Sequence, residues 1–204
     1  SLMGLTAMKP QLPILDQDQT SACTGFALAT VVNYLLRRSK RKSPAVSPFM
    51  LYSMARRYDE IAGSKADTGS SVRGAMKGWY KHGVCAENLW AEFEMPSPVD
   101  DPKKDWWPDA VRRPLGAYYR VDSRSITDMH VGLCESGILL ASAICHKGWD
   151  EGYDLTAAKR RNWTIPYYKA DPNDMGHAFA IVGYNQNGFL LQNSWGKTWG
   201  DGGI

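Results

Sequence analysis

Cys23, His177 and Asn193 are residue types that together could carry out nucleophilic catalysis. Cys23 opens a segment with helical periodicity, and a thiol at a helix N-terminus feels the positive end of the helix dipole, which favours the thiolate. His177 stands just before an apolar segment of strand length, and Asn193 lies 16 residues further on. A hairpin with its turn at Asn187-Gly188 would bring the histidine and the asparagine side by side. The three side chains would then supply a nucleophile, a base and an amide that orients the base.

Each of these residues also has an ordinary structural interpretation. A free cysteine is most often a small buried hydrophobe, and taken alone Cys23 would be interpreted in that way. A lone histidine at the start of a strand more often has a structural role or caps the strand. The hypothesis of nucleophilic catalysis therefore depends on the occurrence of all three residue types together.

The cysteines predict free thiols rather than a disulfide framework or a metal site. The chain has four cysteines spread widely along the sequence, and a protein of 204 residues does not need disulfides to fold, although the even count leaves two bridges open. The best zinc-ligand spacings are His82-x-x-Cys85 and Cys145-His146, and neither is joined by a second convincing pair. The sequence therefore implies no metal and no organic cofactor.

Composition and charge are those of an ordinary globular protein. Hydrophobic residues make up 44% of the chain and charged residues 22%, which argues against disorder. No apolar run approaches the ~18 residues of a membrane span, and the first residues do not resemble a secretory signal, so we expect a cytoplasmic protein without a membrane partner. The net charge of +3 does not favour a nucleic-acid partner. The five cations at positions 37–42 are interpreted as a helix end that runs into a solvated loop.

The first half of the chain has the patterns of helices. Apolar residues at helical spacing predict a helix over residues 21–38, and Ser47-Pro48 is a start signal for a second one. A third helix is predicted over residues 72–82, ending at Gly83. Five prolines within residues 95–114 then indicate a long irregular connection between lobes.

The second half of the chain has mainly the patterns of strands. Apolar runs of strand length are predicted to form strands at residues 117–121, 138–145, 178–184 and 189–193, with a short helix at residues 125–136. Helices followed by strands favour an α+β protein, with a mainly helical lobe at about residues 12–115 and a mainly β lobe at about residues 116–204.

Three sequence motifs resemble those of the papain-like cysteine peptidases, and particularly the bacterial members of this C1 family. Asp16-Gln17-Asp18-Gln19-Thr20-Ser21-Ala22-Cys23 resembles the family's glutamine-to-cysteine segment, with Gln17 six residues before the cysteine. Gly176-His177-Ala178 and Asn193-Ser194-Trp195-Gly196 resemble its histidine and asparagine motifs. Further blocks that resemble bacterial members lie at residues 46–52, 69–73 and 80–85.

The resemblance implies a papain-like two-lobed fold, with a helical lobe and an antiparallel β-sheet or barrel lobe, and a thiol protease activity. It implies that Cys23 attacks a peptide carbonyl to form an acyl-enzyme, while His177 stabilises the thiolate and protonates the leaving amine. Asn193 would orient the His177 ring, and Trp195 would shield that hydrogen bond from water. Gln17 and the backbone N–H of Cys23 would bind the oxyanion.

The same resemblance implies how a peptide or protein substrate binds. Gly69 and Ser70 correspond to the loop that hydrogen-bonds an extended substrate backbone. Met175 corresponds to a position near the pocket for the second residue upstream of the scissile bond, which favours an apolar residue there. Trp195 is also expected to border the substrate site.

The sequence departs from the family pattern in several places. Thr20-Ser21-Ala22-Cys23-Thr24 lacks the neighbouring cysteine and the aromatic residue of the animal and plant signature. Asp18 takes a place where glycine is common, and the spacing of 154 residues from cysteine to histidine is slightly long. The family normally continues into another strand beyond Gly203-Ile204, so we expect that the sequence is a truncated or processed piece of a longer parent chain, with further domains as potential partners.

Two other functions are compatible with the same residues. An amidase or transpeptidase would use the same acyl-enzyme with a different second nucleophile. A catalytically silent papain-like module would bind peptides or regulate a larger protein, but such a module has no need of Gln17, Cys23, His177 and Asn193 together. A peptidase is therefore the leading hypothesis.

Overall fold

The computed structural model describes residues 12–40, 42–59, 67–93, 105–161 and 163–204. The first half of the predicted proline-rich connection at residues 95–114 lies outside the described residues, up to residue 104. The helices are α1 (Cys23–Arg38), α2 (Pro48–Tyr58), α3 (Val72–His82), α4 (Trp106–Ala110), α5 (Ile126–Ser136) and α6 (Ala157–Arg160). Short 3₁₀ helices lie at Glu87–Leu89 and Lys147–Gly152, and the strands are β1 (Leu139–Cys145), β2 (Met175–Asn185) and β3 (Gly188–Gln192).

Serine side chains fix the starts of three helices. Ser47, Ser71 and Ser125 each accept a hydrogen bond from the backbone N–H three residues further on, which satisfies a donor that the helix itself leaves unpaired. α3 ends at Gly83, whose φ of 69° closes the helix in a conformation that other residues rarely adopt. The predicted helices are confirmed, with α3 over the predicted residues and α1 beginning two residues later than predicted.

The described strands form one antiparallel sheet in the order β1-β2-β3. β2 is the central strand, where Ala143 of β1 lies opposite His177. The β2–β3 hairpin is confirmed, but Asn185 pairs with Gly188, so its two-residue turn lies one residue earlier than predicted. β2 also begins earlier than predicted, and His177 is therefore inside the strand rather than just before it.

The prediction of a strand at residues 117–121 is wrong. No strand of the described residues pairs with this segment, and both Tyr118 and Tyr119 are mostly exposed. The segment instead lies along α5, where a Cβ on Gly132 would be 3.1 Å from Val121 and the Tyr119 hydroxyl donates to Glu135 at 3.0 Å. Aromatic and β-branched composition suggested a strand, but these side chains contact a helix rather than a neighbouring strand.

Two apolar clusters lie on opposite faces of β2. Ala180 and Val182 face the helices, where α1, α2 and α3 pack together. Phe179 and Ile181 face the second cluster, which is rich in tryptophan. α1 and α2 approach closely at Gly25, where any Cβ would lie 2.2 Å from the carbonyl oxygen of Pro48. α1 is thereby held between α2 and the central strand, with its first residue at the sheet.

Among the described residues α1 to α5 precede the strands, as predicted, whereas the short α6 and the 3₁₀ helix at Lys147–Gly152 lie between β1 and β2. The division into lobes at about residue 115 stays a prediction. None of the helices in the described ranges combines the length and the apolar character that crossing a bilayer requires. All four cysteines are free thiols, as predicted.

Candidate active site

The β2–β3 hairpin brings His177 and Asn193 into direct contact. Asn193 Oδ1 lies 2.7 Å from His177 Nε2 and also accepts the backbone N–H of Ser194 at 2.8 Å. Because a backbone donor already fixes the amide oxygen, the ring nitrogen that faces it must be the protonated Nε2–H. Nδ1 of His177 is then the nitrogen left for proton transfer. Both side chains are buried, with 6% and 2% of their surfaces exposed.

Cys23 reaches the same strand from α1. Its sulfur lies against the backbone N–H of Ala178, the residue that follows His177. The N-cap Ala22 provides no side-chain hydrogen bond, so the N–H groups of Cys23 and Thr24 at the start of α1 are left for the sulfur and for a ligand. The predicted position of the thiol at a helix N-terminus is therefore confirmed.

Burial acts against a charge on either partner. It raises the pKa of the Cys23 thiol above its ordinary value, although the N–H groups of Ala178, Thr24 and Cys23 itself act in the opposite direction. It also lowers the pKa of His177, where the hydrogen bond to Asn193 acts in the opposite direction. A thiolate alone or an imidazolium alone is thus disfavoured, whereas proton transfer from Sγ to the ring would give each charge an opposite neighbour.

Gln17 is held in a single orientation by contacts with Thr20 and Ser194. Its side-chain oxygen accepts the Ser194 hydroxyl at 2.8 Å, and its Nε2 donates to the carbonyl of Thr20 at 2.7 Å. The backbone N–H of Gln17 donates to the carbonyl of Ser194 at 2.9 Å. The second hydrogen of Nε2 has no acceptor among the described residues. It is therefore available to donate a hydrogen bond to a substrate oxygen.

Asp18 sits in the left-handed region, with a φ of 50°. Glycine is common at this place in the family that the motifs resemble, and the conformation explains why, since it costs most residues a steric penalty. Aspartate is among the residues that tolerate it. Here the Asp18 N–H also donates to Asp16 Oδ1 at 3.0 Å, which stabilises the turn.

Replacing Asp18 with valine is expected to lower the free energy of unfolding by about 1–2 kcal/mol, because a β-branched residue is strained at positive φ. Asp18→Gly should stay within about 1 kcal/mol of the wild type, since relief of strain and added chain entropy oppose each other. Urea unfolding of both variants measures the difference. Equal stability of the two variants would mean that the turn is not strained.

Trp195 lies over the His177 ring, with centroids 4.7 Å apart. It also stacks on Tyr153 at 5.9 Å with an interplanar angle of 13°, and it meets Trp149 and Trp199 edge-on. The ring therefore both covers the His177 side chain and belongs to the tryptophan cluster behind the sheet.

Gly69 and Ser70, which are predicted to bind substrate, differ in whether their backbone N–H and C=O groups are already hydrogen-bonded. The N–H of Gly69 already donates to the Tyr52 hydroxyl at 3.0 Å, and its carbonyl accepts from Arg56. Ser70 shares a hydroxyl–hydroxyl hydrogen bond with Thr24, the residue after Cys23. Its own N–H and C=O have no partner within the part of the chain that the structure describes.

Met175 is 69% exposed at the start of β2, opposite Cys145 and two residues before His177. No described contact joins its side chain to Cys23 or His177, so its role near a substrate pocket stays a prediction. Within the described residues there is no group of three or more metal-type ligands.

Sequence reasoning missed Ser194, Tyr52 and Asp67. Ser194 was present in the asparagine motif, but its hydroxyl contact with Gln17 joins residues 177 positions apart, which no local pattern reveals. Asp67 lies outside the motifs that carry the resemblance, and Tyr52 lies in the block at residues 46–52, to which the sequence assigns no chemical role.

Comparisons with known proteins were made for the sequence and for the fold. No family model matches the chain. Among curated proteins, the chain is 24% identical, over an alignment 209 positions long, to an uncharacterized peptidase C1-like protein, L477, of Acanthamoeba polyphaga mimivirus. The alignment covers 98% of this chain but only 65% of that relative's own length.

The solved structures with a similar fold include several cysteine proteases. Xylellain from Xylella fastidiosa aligns with a TM-score of 0.74 at 23% identity, over 95% of this chain and 75% of that one. A digestive procathepsin L 3 of Tenebrio molitor aligns with a TM-score of 0.65 at 22% identity, over 94% of this chain and 59% of that one. Bromelain from Ananas comosus, in complex with the E64 inhibitor, aligns with a TM-score of 0.59 at 18% identity, over 94% and 81% of the two chains.

The similar structures come from bacterial, insect and plant proteins, and the curated relative is viral. The narrower prediction of a bacterial-type member therefore stays a prediction. The chain has the papain-like cysteine protease fold, and the resemblance to the peptidase C1 proteins that its motifs predict is confirmed.

Proposed function

We propose that the chain is a cysteine peptidase that hydrolyses peptide bonds through Cys23, His177 and Asn193. The observation that carries the proposal is a pair of contacts around His177. Its Nε2 lies against Asn193 Oδ1, and the Cys23 thiol lies against the backbone N–H of Ala178, the next residue in the chain. A buried histidine with a fixed tautomer beside a thiol at a helix N-terminus is the arrangement that nucleophilic acyl transfer needs. The similar cysteine protease structures support the same chemistry.

In the proposed reaction the Cys23 proton moves to Nδ1 of His177, and the thiolate attacks the carbonyl carbon of the scissile peptide. The negative charge on the carbonyl oxygen is met by the backbone N–H of Cys23 and the uncommitted hydrogen of Gln17 Nε2. The C–N bond then breaks as His177 gives its proton to the leaving amine, which leaves a thioester on Cys23. Water attacks the thioester, His177 takes its proton, and the thiolate leaves.

Burial of Cys23 and His177 sets the free-energy cost of the proton transfer between them. Since burial disfavours each charge separately, it favours the neutral thiol and the neutral imidazole. The N–H groups around Cys23 and the hydrogen bond from Asn193 offset part of that cost. Trp195 keeps water from the His177 ring and so strengthens the hydrogen bond that holds its orientation.

A peptidyl epoxysuccinate tests the proposal, because it alkylates a thiol only where a peptide site and an activated cysteine coincide. At neutral pH we expect a single adduct by intact mass, retained in Cys134→Ala and lost in Cys23→Ala. Cys134 is exposed and is the matched control, whereas burial raises the pKa of Cys85 and Cys145 to about 12, so little of either thiol is ionised at neutral pH.

An adduct that persists in Cys23→Ala, or the absence of any adduct on the wild type, would contradict the proposal and favour a silent peptide-binding module. Hydrolysis is separated from acyl transfer by cleaving a peptide in ¹⁸O-water with an added amine. A peptidase incorporates ¹⁸O into the new carboxylate, whereas a transferase or transpeptidase forms the amide with the added amine.

A further inference from the structure

The carboxylate of Asp67 joins two elements that the sequence places far apart. Its Oδ2 accepts the backbone N–H of Ser21 at 2.8 Å, two residues before Cys23. Its Oδ1 accepts the hydroxyl of Tyr52 at 2.5 Å, and Tyr52 is fully buried in α2. A further bond runs from the Ser21 hydroxyl to the Asp67 carbonyl at 3.1 Å. Asp67 therefore connects the segment that enters α1 with the interior of α2.

The same hydroxyl of Tyr52 also holds the loop that follows Asp67. It accepts the N–H of Gly69 at 3.0 Å while it donates to the Asp67 carboxylate. Arg56, one helical turn further along α2, donates to the carbonyl of Gly69 and to the Thr68 hydroxyl at 2.6 Å. Both polar groups of the Gly69 peptide are thereby satisfied from α2, so the loop is fixed from its inner side.

The outer side of this loop presents Ser70 toward the nucleophile's helix. The Ser70 hydroxyl is hydrogen-bonded to Thr24 Oγ1, directly after Cys23 in the chain. Its backbone N–H and C=O have no partner among the described residues. A free N–H and a free C=O on the same residue can pair with the backbone of an extended peptide.

Stability alone gives a weak reason for this network. Asp67 is exposed, and hydrogen bonds of an exposed carboxylate contribute little to the free energy of unfolding. Its partners are nevertheless specific, since both carboxylate oxygens accept donors and one donor comes from a fully buried tyrosine. Such a network has its main effect on geometry, because it ties the segment that enters α1 to the loop that carries Gly69 and Ser70.

We propose that Asp67 is a positioning residue, which with Tyr52 clamps the Ser70 peptide at a fixed distance from Cys23 so that an extended substrate backbone is held in register with the nucleophile. The proposal rests on the peptidase function proposed above. It assigns substrate-backbone binding to Ser70 rather than Gly69, since the polar groups of Gly69 are already occupied.

The test compares two reagents for Cys23 in Asp67→Asn and Tyr52→Phe. Iodoacetamide is small and needs only the thiol, whereas a peptidyl epoxysuccinate must also engage the loop. We expect kinact/KI for the peptidyl reagent to fall about 10-fold or more in Asp67→Asn and in the same direction, but less, in Tyr52→Phe. The iodoacetamide rate should not fall, because the charge of Asp67 adds to burial in raising the pKa of Cys23.

Hydrogen exchange gives an independent measure of the clamp. The Gly69 amide should exchange faster in Asp67→Asn and Tyr52→Phe than in the wild type, because its acceptor is displaced or removed. Asp122→Asn is the matched control, since Asp122 is an exposed carboxylate bound only to Arg124 in the described part of the chain, and it should change neither measurement.

The outcomes separate this inference from the proposed function. A wild-type protein that takes no peptidyl label at Cys23 overturns the peptidase proposal and the clamp with it. A wild type that labels, with both variants labelling at the same rate, overturns the clamp alone. An equal fall in the iodoacetamide and peptidyl rates also overturns it, because Asp67 would then support the thiol rather than the substrate loop. A circular dichroism spectrum like that of the wild type ensures that each variant is compared as a folded protein.

Discussion

His177→Ala is expected to lower kcat/KM for peptide cleavage on the order of 10³-fold or more, while the protein stays folded. The proposed reaction uses His177 twice, to take the Cys23 proton and to protonate the leaving amine. Loss of a positioned acid–base group typically lowers the rate of the chemical step by roughly 10²- to 10⁴-fold. His130→Ala is the matched control. His130 packs between Tyr184 and Phe189, and we assign it no role in the reaction, so its loss should leave kcat/KM unchanged.

The pH dependence of Cys23 alkylation shows whether His177 acts through the thiol. Burial raises the pKa of Cys23 above its ordinary value of 9.0. In His177→Ala the thiolate can form only by this ionisation, so the alkylation rate should still be rising at pH 9. In the wild type, proton transfer to His177 forms the thiolate at lower pH, and the rate should level off well below that point.

The measurement is the iodoacetamide rate at Cys23 from acid to alkaline pH, with Cys134→Ala as the common background because Cys134 is exposed. Superimposable curves for wild type and His177→Ala would contradict the activated pair. Equal peptide cleavage by both proteins would contradict the assignment of His177 as base.

Helices were predicted well from sequence where local chemistry sets their ends. Ser71 caps the start of α3 and Gly83 closes it at positive φ, so both boundaries are present in the sequence as residue types. α1 begins later than predicted because Ala22 carries no capping oxygen, and the start is set instead by packing against α2 and β2. Periodicity alone leaves such a boundary uncertain.

Strand predictions depended on contacts that the sequence does not display. The segment at residues 117–121 has strand composition, yet Tyr119 and Val121 contact α5 and the segment pairs with no described strand. The β2–β3 hairpin was predictable because its strands are adjacent in the chain and the connecting residues favour a turn. The hairpin alone was enough to predict that His177 and Asn193 lie close together.

The remainder of the site is assembled by contacts between distant residues. The hydrogen bonds of Gln17 with Ser194 and of Asp67 with Ser21 cross 177 and 46 residues of chain. Neither residue pair forms a local motif, so composition and spacing could not connect them. The resemblance of motifs supplied a role for Gln17, but the network around Asp67 required the fold.

Trp199→Ala is expected to lower the free energy of unfolding by about 3–5 kcal/mol, which is typical for truncation of a buried tryptophan. Trp199 is 1% exposed, its indole N–H donates to the Trp149 carbonyl at 2.8 Å, and its ring contacts Trp149, Trp163 and Trp195. The variant therefore loses apolar burial and leaves the Trp149 carbonyl without this donor. Urea unfolding followed by circular dichroism measures the change.

Trp107→Ala is the control that makes this result specific, because Trp107 is 60% exposed and its loss should change the free energy of unfolding by no more than about 0.5 kcal/mol. Trp199→Phe should fall between the two, since it keeps an aromatic ring but loses the N–H. The ring of Trp195 rests on Trp199 and covers His177, so Trp199→Ala should also slow peptidyl labelling of Cys23 at temperatures where the variant is folded. Equal stability of Trp199→Ala and Trp107→Ala would contradict the role of Trp199 in the fold, and unchanged labelling of Cys23 would mean that the tryptophan cluster does not support the site.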